Sequence, residues 1–94
     1  MQELQNEITD FLKEKNWLDQ YQHPKELAAA LSVEAAELLE CFQWKSSAEA
    51  LAENRQEILE EVADVMIYAL QIVESMGEDG GEVIRQKLAI NRAR

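Results

Sequence analysis

The sequence contains few residues that interrupt helices, with one proline and three glycines among its 94 residues. It also contains a single cysteine, Cys41, so no disulfide can form within the chain. Leu38 and Phe42 are its neighbours on the expected helix, which predicts a buried thiol rather than a reactive one. A lone cysteine suits a reducing compartment, and no signal-peptide pattern or membrane-spanning apolar run is present. We therefore expect a helical protein of the cytoplasm that does not enter membranes.

Basic residues are also scarce, because nine lysines and arginines stand against 19 acidic residues, for a net charge of −10. An acidic surface argues against binding of nucleic acid polymers and of anionic membranes, both of which require basic patches. It permits a phosphorylated small molecule as a ligand, provided that a cation mediates the contact. The lysines and arginines are unevenly distributed along the chain. The last ten residues contain no acidic residue and four basic ones, namely Arg85, Lys87, Arg92 and Arg94.

Apolar residues and helix formers are abundant: 47% of the residues are hydrophobic, and alanine, leucine, glutamate and glutamine are frequent. This composition predicts a single all-α domain over residues 1–94. The apolar spacing predicts four helices, which are Gln2–Lys15, Pro24–Trp44, Ser46–Met76 with a possible break near Asn54, and Glu82 to the C-terminus. Ser46 and Glu49 form a capping-box pattern, and Gly77 is expected to end the third helix. Apolar faces wider than one neighbour requires predict a compact four-helix bundle that associates with copies of itself through its helices.

The unusual feature of the second and third predicted helices is where their acidic residues fall. At about 100° per residue, Glu34 projects into the middle of an apolar stripe, and Glu37 lies at its edge. On the next helix, Glu61 lies at one edge of the apolar arc, with Asp64 just beyond. Burying several like charges is costly, and few bases are nearby, so a divalent cation is the simplest partner. For one E-x-x-E pair a solvated helix face is the commoner explanation; two pairs leave both explanations open.

The residue types narrow the choice of metal. Ferritin-like di-iron sites use E-x-x-H motifs, but the only histidine, His23, is expected in a loop. Zinc sites use histidine and cysteine ligands, which this group of acids lacks. Carboxylate oxygens alone suit Mg²⁺, with Mn²⁺ as a substitute. Such a site fits phosphate chemistry, in which metal ions neutralise phosphate oxygens and activate water.

The same segments resemble those of a known family. Glu34-Ala-Ala-Glu37 followed by Glu61-Val-Ala-Asp64 resembles the E-x-x-E…E-x-x-D signature of the MazG-type all-α nucleotide pyrophosphohydrolases. Three further segments are similar to the dCTP pyrophosphatase branch of that family, namely Ala30–Lys45, Ile67–Tyr68 and Lys87–Arg92. An E-x-x-E pattern alone is common, whereas the combined set is specific, and the resemblance extends from Phe11 to Arg94.

The resemblance implies a Mg²⁺-dependent enzyme that cleaves a (d)NTP between its α and β phosphates, giving a (d)NMP and pyrophosphate. It implies that the acids that bind the metal and carry the catalysis are Glu34, Glu37, Glu61 and Asp64. The residues that correspond to base and sugar contacts are Trp17, Trp44 and Tyr68, and those that correspond to phosphate or sugar contacts are Lys87, Asn91 and Arg92. It further implies dCTP-like substrates, removal of aberrant or excess (d)NTPs from the nucleotide pool, and a homodimer or a tetramer built as a dimer of dimers.

One departure from the family pattern concerns His23, which directly precedes Pro24, whereas the branch often has a residue between its histidine and proline. No substrate contact is therefore assigned to His23. Two alternatives stay open: another hydrolase of the superfamily, directed at phosphoribosyl-ATP or dUTP, or a non-enzymatic acidic helical module that binds a partner. Pyrophosphate release from a panel of (d)NTPs, with and without chelator, separates them.

Overall fold

Five α-helices and one short 3₁₀ helix make up the structure, a computed structural model that describes all residues from 1 to 94 and contains no strand. The helices are α1 (Gln2–Glu14), α2 (Pro24–Glu40), α3 (Ser47–Glu53), α4 (Arg55–Ser75) and α5 (Gly80–Arg92), and the 3₁₀ helix covers Leu18–Gln22. The predicted all-α class is confirmed. No helix combines the length and the apolar character needed to cross a membrane.

The structure has five helices where the sequence predicted four, because the chain does break at Asn54. The backbone of Asn54 leaves the helical region, with φ −117° and ψ 25°. Its side-chain Nδ2 donates a hydrogen bond of 2.7 Å to the carbonyl oxygen of Cys41, just beyond the end of α2. The separation of α3 from α4 therefore has a tertiary cause, since Asn54 satisfies an acceptor at the end of another helix.

Helix ends also differ from the predicted ones, most clearly the end of α2 and the start of α5. α2 ends at Glu40 and not at Trp44, because residues 41–44 form consecutive turns and Trp44 adopts a positive φ of 64°. α5 begins at Gly80, two residues before the predicted start, because Asp79 acts as its N-cap. The Asp79 carboxylate accepts the backbone N–H three residues later, at 3.1 Å.

Two predicted helix signals are confirmed. The Ser46 hydroxyl accepts the backbone N–H of Glu49 at 3.1 Å, and the Glu49 carboxylate accepts the backbone N–H of Ser46 at 2.9 Å, which completes the capping box before α3. Gly77 follows α4 with a φ of 73°, a conformation that costs glycine little.

α2 and α4 pack against each other. Two clusters of buried apolar side chains join other parts of the chain to α4, one from α1 and one from α3 and the turn after α2. The first cluster comprises Ile8, Leu12 and Leu70, and the second comprises Cys41, Ala50 and Ile58. Cys41 is 8% exposed, so the prediction of a buried thiol is confirmed. The acids of α4 that the sequence singled out lie between Ile58 and Leu70, and therefore between the two clusters.

A buried glutamine ties α1 to the junction between α4 and α5. Gln5 is 1% exposed, and its Nε2 donates to Glu74 Oε1 at 2.8 Å and to the carbonyl oxygen of Glu78 at 3.0 Å. Its Oε1 accepts the backbone N–H of Gly80 at 2.7 Å. A Cβ added at Gly80 would lie 2.6 Å from Leu70 Cδ2, so this close approach favours glycine. The amide of Gln5 is thus fully engaged in holding the fold together.

The single chain is open, with only ten of its 94 residues buried. Its Cα radius of gyration is 15.3 Å, whereas a compact domain of this length has a value of about 12 Å. α5 contributes to this openness, because every residue from Glu82 to Arg94 is exposed. Its exposed apolar residues are Val83, Ile84, Leu88 and Ile90. The structure of one chain is thus less compact than the predicted bundle, and α5 presents an apolar face that the chain itself does not cover.

Candidate metal centre and adjoining cavity

Three of the four predicted acids meet in the middle of the α2–α4 pair. Glu34 projects from α2, and Glu61 and Asp64 project from α4 about one helical turn apart. One carboxylate oxygen from each side chain lies within 4.8 Å of the other two, and all three side chains are partly buried. The ion pairs within the chain involve other acids, so no lysine or arginine pairs with these three.

Two carboxylate oxygens of this acidic trio have no hydrogen-bond partner. Glu34 Oε2 and Glu61 Oε2 are buried, and no donor of the chain reaches them. Buried acceptors without a partner are rare in folded proteins, and each calls for an explanation such as an ion or a functional role. Because the trio offers hard oxygen donors and no nitrogen or sulfur, its ligand chemistry fits Mg²⁺ or Mn²⁺.

Burial and the closeness of other carboxyls shift the pKa values of two members of the trio. The pKa of Glu34 is raised to about 7, chiefly by burial, then by the adjacent carboxyls of Glu61 and Glu37 and by the charges of Glu37 and Asp64. For Glu61, the adjacent carboxyl of Glu34 lowers the pKa, but burial and the charges of Glu37 and Asp64 outweigh it, and the pKa is raised. Both directions are those expected for carboxylates that lack a neighbouring positive charge.

Glu37, the fourth predicted acid, lies beside the trio rather than within it. It is exposed, one turn of α2 after Glu34, and it borders a polar cavity of about 400 Å³ together with Glu57 and Glu61. It is close enough for its charge to raise the pKa of both Glu34 and Glu61. Its role as a metal ligand stays a prediction.

The trio borders a second cavity, whose other walls are mostly apolar and aromatic. This cavity measures about 240 Å³, and Glu34 and Asp64 line it together with Phe11, Trp17 and Tyr68. The rings of Phe11 and Trp17 meet edge to face, with centroids 5.9 Å apart and planes at 77°. We call this space the aromatic cavity. A ligand that carries both a charged group and a flat ring would find complementary walls in it.

The predicted substrate-binding residues fall into two groups. Trp17 and Tyr68 line the aromatic cavity next to the acids. Trp44 is 93% exposed in the turns after α2, outside the walls of that cavity. The predicted phosphate or sugar contacts, Lys87, Asn91 and Arg92, lie exposed on α5 and are also absent from those walls. Within one chain this second group does not join the acids, and its role in binding stays a prediction.

Six residues that line the aromatic cavity were not predicted as site residues, namely Ile8, Phe11, Leu12, Gln20, Ile67 and Gln71. Gln71 carried a recognisable signal, because helical spacing places it on the same face of α4 as Asp64 and Tyr68, seven and three residues after them. Phe11 and Gln20 carried no such signal, since they reach the cavity only because α1 and the 3₁₀ helix pack against α4.

Comparison with known families agrees with this arrangement. The model of the MazG-like family matches residues 29–94, which include all four predicted acids. The crystal structure of a pyrophosphatase from Archaeoglobus fulgidus has the same fold, with a TM-score of 0.87 and 37% sequence identity. The match covers 99% of this chain and 89% of that one.

Curated relatives are similar in sequence over most of the chain. The dCTP pyrophosphatase 1 of Rattus norvegicus is 34% identical over 90 residues, which cover 90% of this chain and 52% of that protein. The dCTP pyrophosphatase 1 of Homo sapiens is 33% identical over the same shares. The dATP/dGTP diphosphohydrolase of Cyanophage S-2L is 52% identical over 46 residues, which cover 49% of this chain and 44% of that protein. The chain thus spans about half the length of the curated relatives it matches.

Proposed function

The chain belongs to the MazG-like family, and from this premise we propose that it is a Mg²⁺-dependent nucleoside triphosphate pyrophosphohydrolase. The reaction is (d)NTP and water to (d)NMP and pyrophosphate, with dCTP-like deoxynucleotides favoured. The observation that carries the proposal is the trio of partly buried carboxylates, which no lysine or arginine neutralises and of which Glu34 and Asp64 line the aromatic cavity. A role in clearing aberrant or excess (d)NTPs from the cytoplasmic pool follows from this activity.

The acids of the trio supply the ligands in this proposal. Glu34, Glu61 and Asp64 hold Mg²⁺ through their carboxylate oxygens, including the two that lack a partner within the chain. When bound, Mg²⁺ supplies positive charge to phosphate oxygens and makes water a better nucleophile. Glu37, beside the trio, is either a fourth ligand or the group that accepts the proton of the attacking water.

The aromatic cavity supplies the site for the base in this proposal. Trp17 and Phe11 present ring faces and edges against which a planar base packs, and Tyr68, one turn after Asp64 on α4, lines the same cavity. The names of the curated relatives specify deoxynucleoside triphosphates, dCTP in one group and dATP or dGTP in the other. These names support a deoxynucleotide substrate, and the likeness to the dCTP pyrophosphatases over 90% of the chain supports dCTP as the first candidate.

Product analysis tests the proposed reaction. With dCTP and Mg²⁺, we expect dCMP and pyrophosphate in equal amounts, because cleavage lies between the α and β phosphates. Chromatography of the products measures both, over a panel that also contains the other dNTPs, dUTP, the NTPs and phosphoribosyl-ATP. A parallel reaction with pyrophosphate alone reveals any second step that would release orthophosphate. Formation of dCDP and orthophosphate from dCTP would refute the proposal. Hydrolysis of phosphoribosyl-ATP without hydrolysis of any dNTP would instead assign the chain the activity of another branch of the superfamily.

We further propose that the working form is a homo-oligomer, a dimer or a tetramer, in which α5 packs against another copy. At about 100° per residue, Lys87 and Asn91 fall on the same face of α5 as its exposed apolar residues. Packing of that face against a second chain would bury the apolar residues and bring Lys87 and Asn91 to the partner. This arrangement explains why the predicted phosphate contacts lie away from the acids of their own chain.

Analytical ultracentrifugation tests the oligomer. The wild-type protein should sediment as a dimer or tetramer at micromolar concentration, and Leu88→Asp should shift it toward monomer and reduce turnover, because a charge would enter the apolar face. Ala89→Glu, which adds a charge on the opposite side of α5, serves as the control and should leave the mass unchanged. A fully active wild-type monomer would contradict this proposal.

A further inference from the structure

Two side-chain amides, one buried and one partly buried, line the aromatic cavity at the end away from the acids. Gln71 is only 2% exposed, and its Nε2 donates a hydrogen bond of 2.9 Å to Oε1 of Gln20, from the 3₁₀ helix. This is the only hydrogen bond that either side-chain amide makes within the chain. Gln71 Oε1, one N–H of Gln71 and both N–H groups of Gln20 are therefore left without a partner from the protein.

The other buried glutamine, Gln5, shows what a purely structural amide looks like in this fold. Both of its N–H groups and its carbonyl oxygen are engaged by α4 and α5. Gln71 is as deeply buried, yet it uses one N–H alone. The remaining amide groups of Gln71 and Gln20 are not enclosed by the protein, and they open onto the aromatic cavity that the two residues line. A ligand in that cavity can therefore reach them and complete their hydrogen bonding.

The spacing along α4 fits a nucleotide in an extended conformation. Asp64, Tyr68 and Gln71 lie on one face of α4, and seven residues separate the first from the last, which corresponds to about 10 Å along the axis. With the phosphates at the acids, the base would reach past Tyr68 to the amides. Phe11 and Trp17 line the same cavity and can pack against the flat sides of the base, so its edge would meet Gln20 and Gln71.

We propose that Gln20 and Gln71 form the element that discriminates between bases, by hydrogen bonding to the edge of the base in the aromatic cavity. This inference rests on the proposed nucleotide substrate and goes beyond it, because it names the residues that read the base. Gln71 Oε1 accepts from an N–H of the base, and the free amide N–H groups donate to a ring nitrogen or a carbonyl oxygen. Each base edge carries donors and acceptors in its own order, so a fixed pair of amides matches some bases better than others.

The test is the base preference of a near-isosteric apolar variant, Gln71→Met, which keeps the volume of the side chain and removes its hydrogen bonds. We expect kcat/KM for the preferred dNTP to fall about 10- to 100-fold and the ratio between the best and the worst dNTP to shrink by a similar factor. Gln20→Met, at a less buried position, should change the ranking in the same direction and is informative even if Gln71→Met fails to fold. Gln56→Met, exposed near the start of α4, is the matched control and should leave the ranking unchanged.

The outcomes separate this inference from its alternatives. If Gln71 only joins α4 to the 3₁₀ helix, both amide variants should lower the melting temperature and reduce kcat/KM for every dNTP by the same factor. That result, or a wild-type enzyme without base preference, would overturn the inference and leave the proposed reaction standing. A wild-type protein that hydrolyses none of the panel would instead refute the proposed function, and this inference with it.

Discussion

Turnover should vanish when EDTA removes divalent cations, and added Mg²⁺ or Mn²⁺ should restore it. The reason is electrostatic. One carboxylate oxygen from each member of the trio lies within 4.8 Å of the other two, and no lysine or arginine forms an ion pair with these acids. Two of their oxygens also lack a hydrogen-bond partner. A triphosphate is itself strongly negative, so the acids would repel it unless a cation lay between them. Initial rates in EDTA, and after readdition of each metal, measure the effect.

A readout other than activity distinguishes a bound metal from a general salt effect. Because the trio is formed by folding, Mg²⁺ should bind the folded chain in preference to the unfolded chain and raise its melting temperature. A cation at about 100 times its Kd adds about 2.7 kcal/mol to the free energy of unfolding. The control is K⁺ at the same ionic strength, which should not reproduce the rise. Full turnover in EDTA would contradict the metal assignment.

The closeness of Glu34, Glu61 and Asp64 could be predicted because the sequence pattern that indicates it lies within single helices. Glu34 interrupts the apolar stripe of one helix, and a charge in that position requires compensation wherever the helix packs. Helical spacing then brings Glu61 and Asp64 to one face of α4 without knowledge of the fold. The all-α class followed from the same periodicity, together with the near absence of glycine and proline.

The parts that could not be predicted depend on contacts between distant segments. The break at Asn54 depends on a hydrogen bond to the end of α2, and apolar periodicity alone could mark it only as a possibility. Gln71 is a harder case than Glu34, because it lies outside the apolar arc of α4 and a buried amide can be wholly structural, as Gln5 is. Lys87 and Asn91 were predicted from the family resemblance, and the structure of one chain leaves them exposed on α5, away from the acids.

Replacement of a single trio member by its amide should separate the metal site from the fold. Glu34→Gln keeps the size of the side chain and removes its charge, so turnover should fall on the order of 10²-fold or more through loss of metal-centred stabilisation. Glu61→Gln and Asp64→Asn should act in the same way. Without metal, the melting temperature of each variant should stay unchanged or rise, because repulsion within the trio is relieved. The control is Glu60→Gln, an exposed neighbour on α4, which should change neither turnover nor melting temperature.

The combination of turnover and metal-dependent melting also assigns a role to Glu37. If Glu37 is a fourth ligand, Glu37→Gln should lose most of the Mg²⁺-induced rise in melting temperature together with turnover. If Glu37 instead accepts the proton of the attacking water, the variant should keep that rise and lose turnover alone. Glu34→Gln should lose both, because Glu34 lies within the trio and Glu37 lies beside it. Full activity in Glu34→Gln, or a sharp fall in its metal-free melting temperature, would make Glu34 a structural residue and remove the basis for the site.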